Sequence, residues 1–268
     1  MKLPSELTGL RIGSVPYFNA APLIYGLEGI NLLHPSVLAK EFQQGAVDIA
    51  LVPVVQGFAG GKYRVVDGVG VTSSGPVLSV FVAHLEGMDQ VERVRLDPAS
   101  RTSATLVQVL LQESPWIEFS PMLDDSPPVT SDDAMLLIGD QALEFRRIHG
   151  NRYQYYDLAE EWFRQTGLPF VFAVWLIHED LEEETAQQSA TFLRQLAAYG
   201  QENLEEMIQL EAARQHIGDS GFCRHYITQA IKNEMGEAER KGIHEFYKRY
   251  AQWKKIPEEQ QEFPFVFI

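Results

Sequence analysis

A chain of 268 residues, 45% of them hydrophobic, is long enough for one large domain or two smaller ones around a sizeable core. Lys and Arg number 22 against 37 Asp and Glu, a formal charge of −15, which argues against nucleic acid or an anionic membrane surface as partner but leaves room for a small anion in a locally positive pocket. The lone Cys223 excludes an internal disulfide and any multi-cysteine metal site, and no stretch approaches the roughly 20 apolar residues of a membrane helix. With no apolar run of signal-peptide length in its opening residues, the chain is expected to reside in the cytoplasm.

In "RIGSVPYFNAAPL", residues 11–23, Arg11–Val15 reads as a strand. Pro16 ends ladder pairing because it has no backbone donor, and Pro22 suits the first turn of a helix. Asn19 therefore stands at the carboxyl end of a strand, where open α/β sheets bind ligands, but Asn is also among the best helix N-caps; position alone leaves both roles open. A second strand is expected over Gly29–Leu33. A helix follows in "HPSVLAKEFQQGAVD", with Val37, Leu38 and Phe42 on one face and Gly45 as its stop. Strands are then expected at Asp48–Val52, Val65–Val71 and Val77–Ala83. Ser73, Ser74, Gly75 and Ser79 interrupt the last pair; small hydroxyl residues around Gly let a ligand approach the backbone, and they also make ordinary turns.

A further strand–helix unit begins at "VERVRLDPASRTSATLVQVLLQE", with a strand ending at Asp97 and Ala104, Val107, Leu110 and Leu111 on the buried helix face. "SPMLDDSPPVTSDD" is a loop by composition, and "AMLLIGDQAL" a strand that breaks at Gly139–Asp140. After the apolar run "GLPFVFAVWLI" the pattern becomes helical from about Leu181 to Ile256. Two stripes there, Phe222–Tyr226–Ala230 and Ile243–Phe246–Tyr247–Tyr250–Trp253, are assigned to core packing rather than chemistry. The apolar tail "EFPFVFI" is expected to dock on the body or on a second subunit.

The strongest chemical signal is "LDPASRTSATL", residues 96–106, where Ser100, Arg101, Thr102 and Ser103 crowd the start of a helix. Free N–H groups and the positive end of the helix dipole bind anions, and hydroxyls with a guanidinium would complete a carboxylate clamp. A well-capped helix with Arg101 paired to a surface acid accounts for part of the same pattern. Asp140 follows a strand and precedes a helix, which suits an N-cap or an acid–base group, and Thr166 with Gly167 lies in a turn. The seven histidines form no HxxxH or HxH pair in a fitting context, and Walker A, dinucleotide and GxSxG motifs are absent.

In this order, "GSVPYFNAAPL", "HPSVLAKEFQQGAVDIALVPV", "SSGPVLSV", "LDPASRTSATL", "LLIGDQAL" and "YYDLAEEWFRQTGLPFVFAVW" resemble the chorismate dehydratase family of the futalosine route to menaquinone, over about residues 10–178. The resemblance implies an α/β, type II periplasmic-binding-protein-like fold: two α/β lobes, a ligand cleft between them and a helical C-terminal segment. Lobe one would comprise residues 1–90 and 175–268, and lobe two residues 91–174. It further implies loss of water from chorismate without a cofactor or metal, in a protein whose partner is that small dianion rather than nucleic acid or membrane. Asn19, Ser79 and Asp140 are then the expected catalytic residues, and Ser74, Gly75, Ser100, Arg101, Thr102, Ser103 and Thr166 the expected substrate contacts. Alternatives of the same shape are a non-catalytic small-anion binding protein, disfavoured by the expected cytoplasmic location, and the related dihydroxynaphthoate-forming enzyme of the same pathway. The oligomeric state is left open.

Overall fold

The structure is a computed structural model that describes residues 1–59, 63–98, 100–214 and 216–268. Ala99 of the 96–106 motif and Gln215 of the expected helical region lie outside the described residues. From its N-terminus the chain builds β1 (Ile12–Ser14), α1 (Ala21–Ile24), β2 (Asn31–Leu32), α2 (Pro35–Gln43), β3 (Ile49–Pro53) and β4 (Tyr63–Ser73). It then forms β5 (Val80–His84), β6 (Arg93–Leu96), α3 (Arg101–Leu110), β7 (Glu118–Pro121), β8 (Asp133–Ile138), α4 (Gly139–His149), β9 (Gln154–Asp157) and α5 (Leu158–Thr166). After β10 (Phe170–Ile177) come α6 (Glu183–Glu202), α7 (Leu204–Arg214), α8 (Ser220–His225), β11 (Lys232–Met235), α9 (Glu237–Trp253) and β12 (Phe265–Phe267).

Among the described residues these strands form two sheets. The larger runs β11–β4–β10–β3–β1–β2, with β12 parallel to β4, and the smaller runs β7–β6–β8–β5–β9. Only two segments carry the chain between them: 74–79, from β4 to β5, and 167–169, from α5 to β10. They lie side by side, because Phe170 pairs with Ser73. Sheet membership moves both edges of the expected division at 90/91 and 174/175. Val80–His84 pairs with β8 and β9 in the smaller sheet, and all of β10 pairs with β3 and β4 in the larger one. A strand belongs where its ladder is, and sequence periodicity does not say which ladder it joins.

Alternation along β5 serves two cores at once. Val80 and Val82 face the main cluster, whereas Phe81 and Ala83 face a smaller one with Met135, Leu137, Ala142 and Phe145 beneath α4. Trp162 of α5 is fully buried against Phe170 and Phe246, which ties the smaller sheet's last helix to α9. At Gly242 of α9 any Cβ would run into the Pro169 carbonyl, so glycine is what allows the helix to press on the second crossing segment.

Two expectations for the C-terminal part meet different outcomes. Lys232–Met235, expected inside a helix, is an edge strand with Asn233 and Met235 inward and Lys232 and Glu234 outward; four residues are too few for a period of two to stand out against a helical stripe. The apolar tail docks on the protein's own body, where Phe265 pairs with Tyr63 and packs on Phe58.

Candidate active site

Between the sheets lies a cavity of about 80 Å³. From the larger sheet it is lined by Val15, Tyr17 and Asn19 after β1, Pro53 at the end of β3 and Phe172 of β10; from the smaller it takes the start of α3 and the β8–α4 turn, Ile138–Gly139. Both lobes thus present the carboxyl ends of their parallel strands, the crevice where open α/β sheets hold ligands. The walls are mostly apolar, and Arg101 is the one charged side chain among the described lining residues.

The start of α3 carries the polar chemistry. Ser100 occupies the N-cap position, 3% exposed, without making a side-chain cap, and its Oγ has no hydrogen-bond partner among the described residues. The first intrahelical bond is Ala104 N–H to Ser100 O, at 2.9 Å, which leaves the N–H groups of Arg101, Thr102 and Ser103 without helical acceptors. A hydroxyl without a partner among the described residues, three amides without helical acceptors and the positive helix end make an anion cradle. Of the alternatives for Arg101, a surface acid is not the partner found. Its guanidinium reaches across the cleft, Nη1 donating at 2.7 Å to Oε1 of the buried Gln56. Thr102 directs its hydroxyl instead to the Phe172 carbonyl, at 3.2 Å, and so fastens α3 to β10.

Asn19 sits in a 3-10 turn, Phe18–Ala20, and caps no helix: Ala20 holds the N-cap position of α1. Its side chain lines the cavity, and its carbonyl accepts from Nδ2 of the buried Asn233 at 3.3 Å. Ser79, at the end of the first crossing segment, also lines the cavity. Its carbonyl accepts from Gly139 N–H at 2.8 Å, and its Oγ accepts from the Tyr226 phenol at 2.8 Å. Gly139 has φ +59, which would strain any residue with a side chain, and a Cβ there would lie in van der Waals contact with the Tyr17 ring. Burial and the nearby Asp97 and Asp140 push the Tyr17 phenol up to about 12, so it stays protonated and neutral.

Asp140 is not among the cavity-lining residues. Both its oxygens accept from Phe18 N–H, at 3.1 and 3.3 Å, which makes it a bridge between the β8–α4 turn and the loop after β1. Burial lifts its carboxyl to about 6, against the lowering effect of that amide. A folded-state value above the unfolded one of about 3.9 means that the native protein binds more protons between those limits, so stability falls as pH rises from about 4 to 6. Asp140→Asn keeps an acceptor for Phe18 and removes the charge. In urea unfolding it is expected to gain about 3 kcal/mol over the parent at about pH 7.5, with the difference nearly gone near pH 4. A variant less stable than the parent at both pH values would show instead that its partners hold the ionised form.

Ser74, Gly75 and Thr166, expected as substrate contacts, are not part of the lining. Ser74 and Gly75 belong to the first crossing segment, where Ser73 Oγ donates to the Gly75 carbonyl at 3.0 Å, and Gly75 takes φ +139. Thr166 closes the last turn of α5, donating to the Trp162 carbonyl at 2.8 Å and accepting from Leu168 N–H at 3.1 Å. The Ser73 and Thr166 hydroxyls thus serve the turns that carry the chain between lobes. Conversely, Tyr17, Gln56, Tyr226 and Asn233 were not among the expected site residues. Tyr17 had a signal, because it lies two residues before Asn19 in the same loop. Gln56, Tyr226 and Asn233 had none, since each meets the site through a contact remote in sequence. No group of three or more His, Cys, Asp or Glu that could hold a metal, and no helix long and apolar enough to cross a membrane, occurs among the described residues.

Two α/β sheets joined by two crossing segments, with a cavity between their strand ends, define a two-lobed protein of the periplasmic-binding-protein fold. A Candida albicans protein described as having that generic fold superimposes with a TM-score of 0.63 at 14% identity, over 96% of this chain and 92% of its own. The chain belongs to the menaquinone biosynthesis family, whose profile matches residues 10–252. It is 28% identical over 260 residues to the chorismate dehydratase of Thermus thermophilus, covering 88% of this chain and 93% of that one. To the chorismate dehydratase of Campylobacter jejuni it is 25% identical over 250 residues, covering 88% and 95%.

Proposed function

We propose that the protein is a hydro-lyase that removes water from chorismate to give 3-[(1-carboxyvinyl)oxy]benzoate. The observation that carries the reading is the anion cradle at the start of α3, with Arg101, the Ser100 hydroxyl that has no partner among the described residues and amides without helical acceptors, at a mostly apolar cavity. Membership of the menaquinone biosynthesis family and similarity to two chorismate dehydratases support it.

The ring hydrogen that chorismate loses is allylic to the double bond bearing the ring carboxylate. Its removal sends negative charge into that carboxylate, and departure of the ring hydroxyl completes the aromatic ring. Preorganised donors aimed at the carboxylate therefore bind the transition state more tightly than the ground state. Ser100, Arg101 and Ser103 with the α3 amides would take this carboxylate. Asn19 and Ser79, on the opposite wall, would orient the second carboxylate or the departing hydroxyl. The described lining residues include no carboxylate and no imidazole, so the proton passes to a water or to one of the substrate's own carboxylates. Aromatisation supplies driving force, and a largely apolar cavity adds orientation of the substrate.

The test is to incubate purified protein with chorismate, without added metal or nucleotide, and to follow product by ultraviolet absorbance and mass. The expected result is loss of one water with a new benzoate chromophore. Binding without conversion would point instead to a small-anion binding protein.

A further inference from the structure

The Tyr226 side chain is not part of the cavity lining, yet it holds a residue that is. It is fully buried at the first position of a π turn, Tyr226–Ala230, directly after α8, and its ring stacks on Phe18 at 6.0 Å between centroids. Turns of this kind are uncommon and often accompany functional sites. Its Oη donates to Ser79 Oγ at 2.8 Å. Ser79 and Asn19 both line the cavity.

We propose that Tyr226 is a positioning residue that fixes the Ser79 hydroxyl as an acceptor toward the protein interior and thereby directs its proton into the cavity, toward a ligand oxygen. A serine hydroxyl has one hydrogen and two lone pairs. With one lone pair engaged by the phenol, and the Ser79 carbonyl tied to Gly139 N–H, the remaining hydrogen turns to the cavity. A donor that is itself accepting a hydrogen bond is polarised and donates more strongly, the more so in a low-dielectric interior. Burial raises the phenol well above its ordinary pKa, so Tyr226 remains a donor across the working range of pH. The sequence assigned this tyrosine to a packing stripe; its ring does pack, and its hydroxyl does something further.

The kinetic consequence rests on the chorismate reading, with Ser79 donating to an oxygen that gains charge as water leaves. Tyr226→Phe removes only the hydroxyl and keeps the stack on Phe18. Expected is a fall in kcat of about tenfold with KM changed less than about threefold, the pattern of an interaction strengthened in the transition state. In a Ser79→Ala background the same substitution is expected to add nothing, because the phenol acts through that hydroxyl. Equal losses in the two backgrounds would mean that Tyr226 acts otherwise and would overturn the proposal. An activity-independent readout is the crystal structure of ligand-free Tyr226→Phe, where Ser79 Oγ, having lost its donor, is expected to leave its rotamer for another partner. An unchanged rotamer overturns the proposal even if the parent converts no chorismate, a result that would by itself overturn only the functional reading.

Discussion

Replacing Arg101 with alanine is expected to lower kcat/KM for chorismate by about 10² to 10³-fold, the range found when one preorganised donor to a developing oxyanion is removed. The guanidinium is the one charged side chain among the described lining residues, and an apolar wall strengthens its interaction with a carboxylate relative to water. Arg101→Lys is expected to recover only part of the loss, because an ammonium cannot reproduce a planar fork on a carboxylate. Folding is affected less. Arg101 is exposed, and its loss orphans the buried Gln56 amide oxygen, a cost of about 1–2 kcal/mol that chemical denaturation would read separately. Turnover within a few fold of the parent would remove Arg101 from the site.

Asp157→Ala is expected to destabilise the protein by roughly 3–5 kcal/mol, a large share of the usual 5–15 kcal/mol of a folded domain. One buried carboxylate accepts four backbone amides: Val77 at 3.1 Å and Leu78 at 2.8 Å in the first crossing segment, and Ala159 and Glu160, both at 3.1 Å, in the first turn of α5. Alanine would leave those donors without an acceptor and remove the N-cap of α5. The same carboxylate holds Leu78 at φ +64, a conformation that a leucine adopts only under constraint, immediately before Ser79. Misplacement of Ser79 would therefore accompany the loss of stability, with turnover falling even where the variant remains folded. Asp157→Asn should cost about half as much, since one oxygen remains an acceptor while the NH₂ group faces donors. A urea midpoint for Asp157→Ala within about 1 kcal/mol of the parent would show that the crossing segment is held by its neighbours instead.

The strand–helix–strand units were legible because their signals are local. Pro35 at a first helical turn, Gly45 past the end of α2 and the apolar run of β10 each act within a few residues. Legible for the same reason was the start of α3, where four polar groups exceed what capping needs. Strand membership was not, because β5 reads identically whichever sheet it joins. Nor were Gln56, Tyr226 and Asn233, whose roles depend on contacts such as Tyr226 to Ser79, 147 residues apart. Ser74, Gly75 and Thr166 have the composition of a ligand loop, but turns and ligand loops draw on the same small hydroxyl residues. The place of Asp140 after a strand suits an N-cap or an acid–base group alike, and its bond to the Phe18 amide, 122 residues away, has no local signal.

The arrangement predicts where a substrate carboxylate sits, and a crystal structure with 3-[(1-carboxyvinyl)oxy]benzoate bound reads that directly. The predicted result is the ring carboxylate on the N-terminus of α3, within about 3 Å of Ser100 Oγ and the Arg101 guanidinium, with Asn19 and Ser79 facing the enolpyruvyl side. A product bound between the lobes with no carboxylate on α3, or bound outside this cavity, would contradict it.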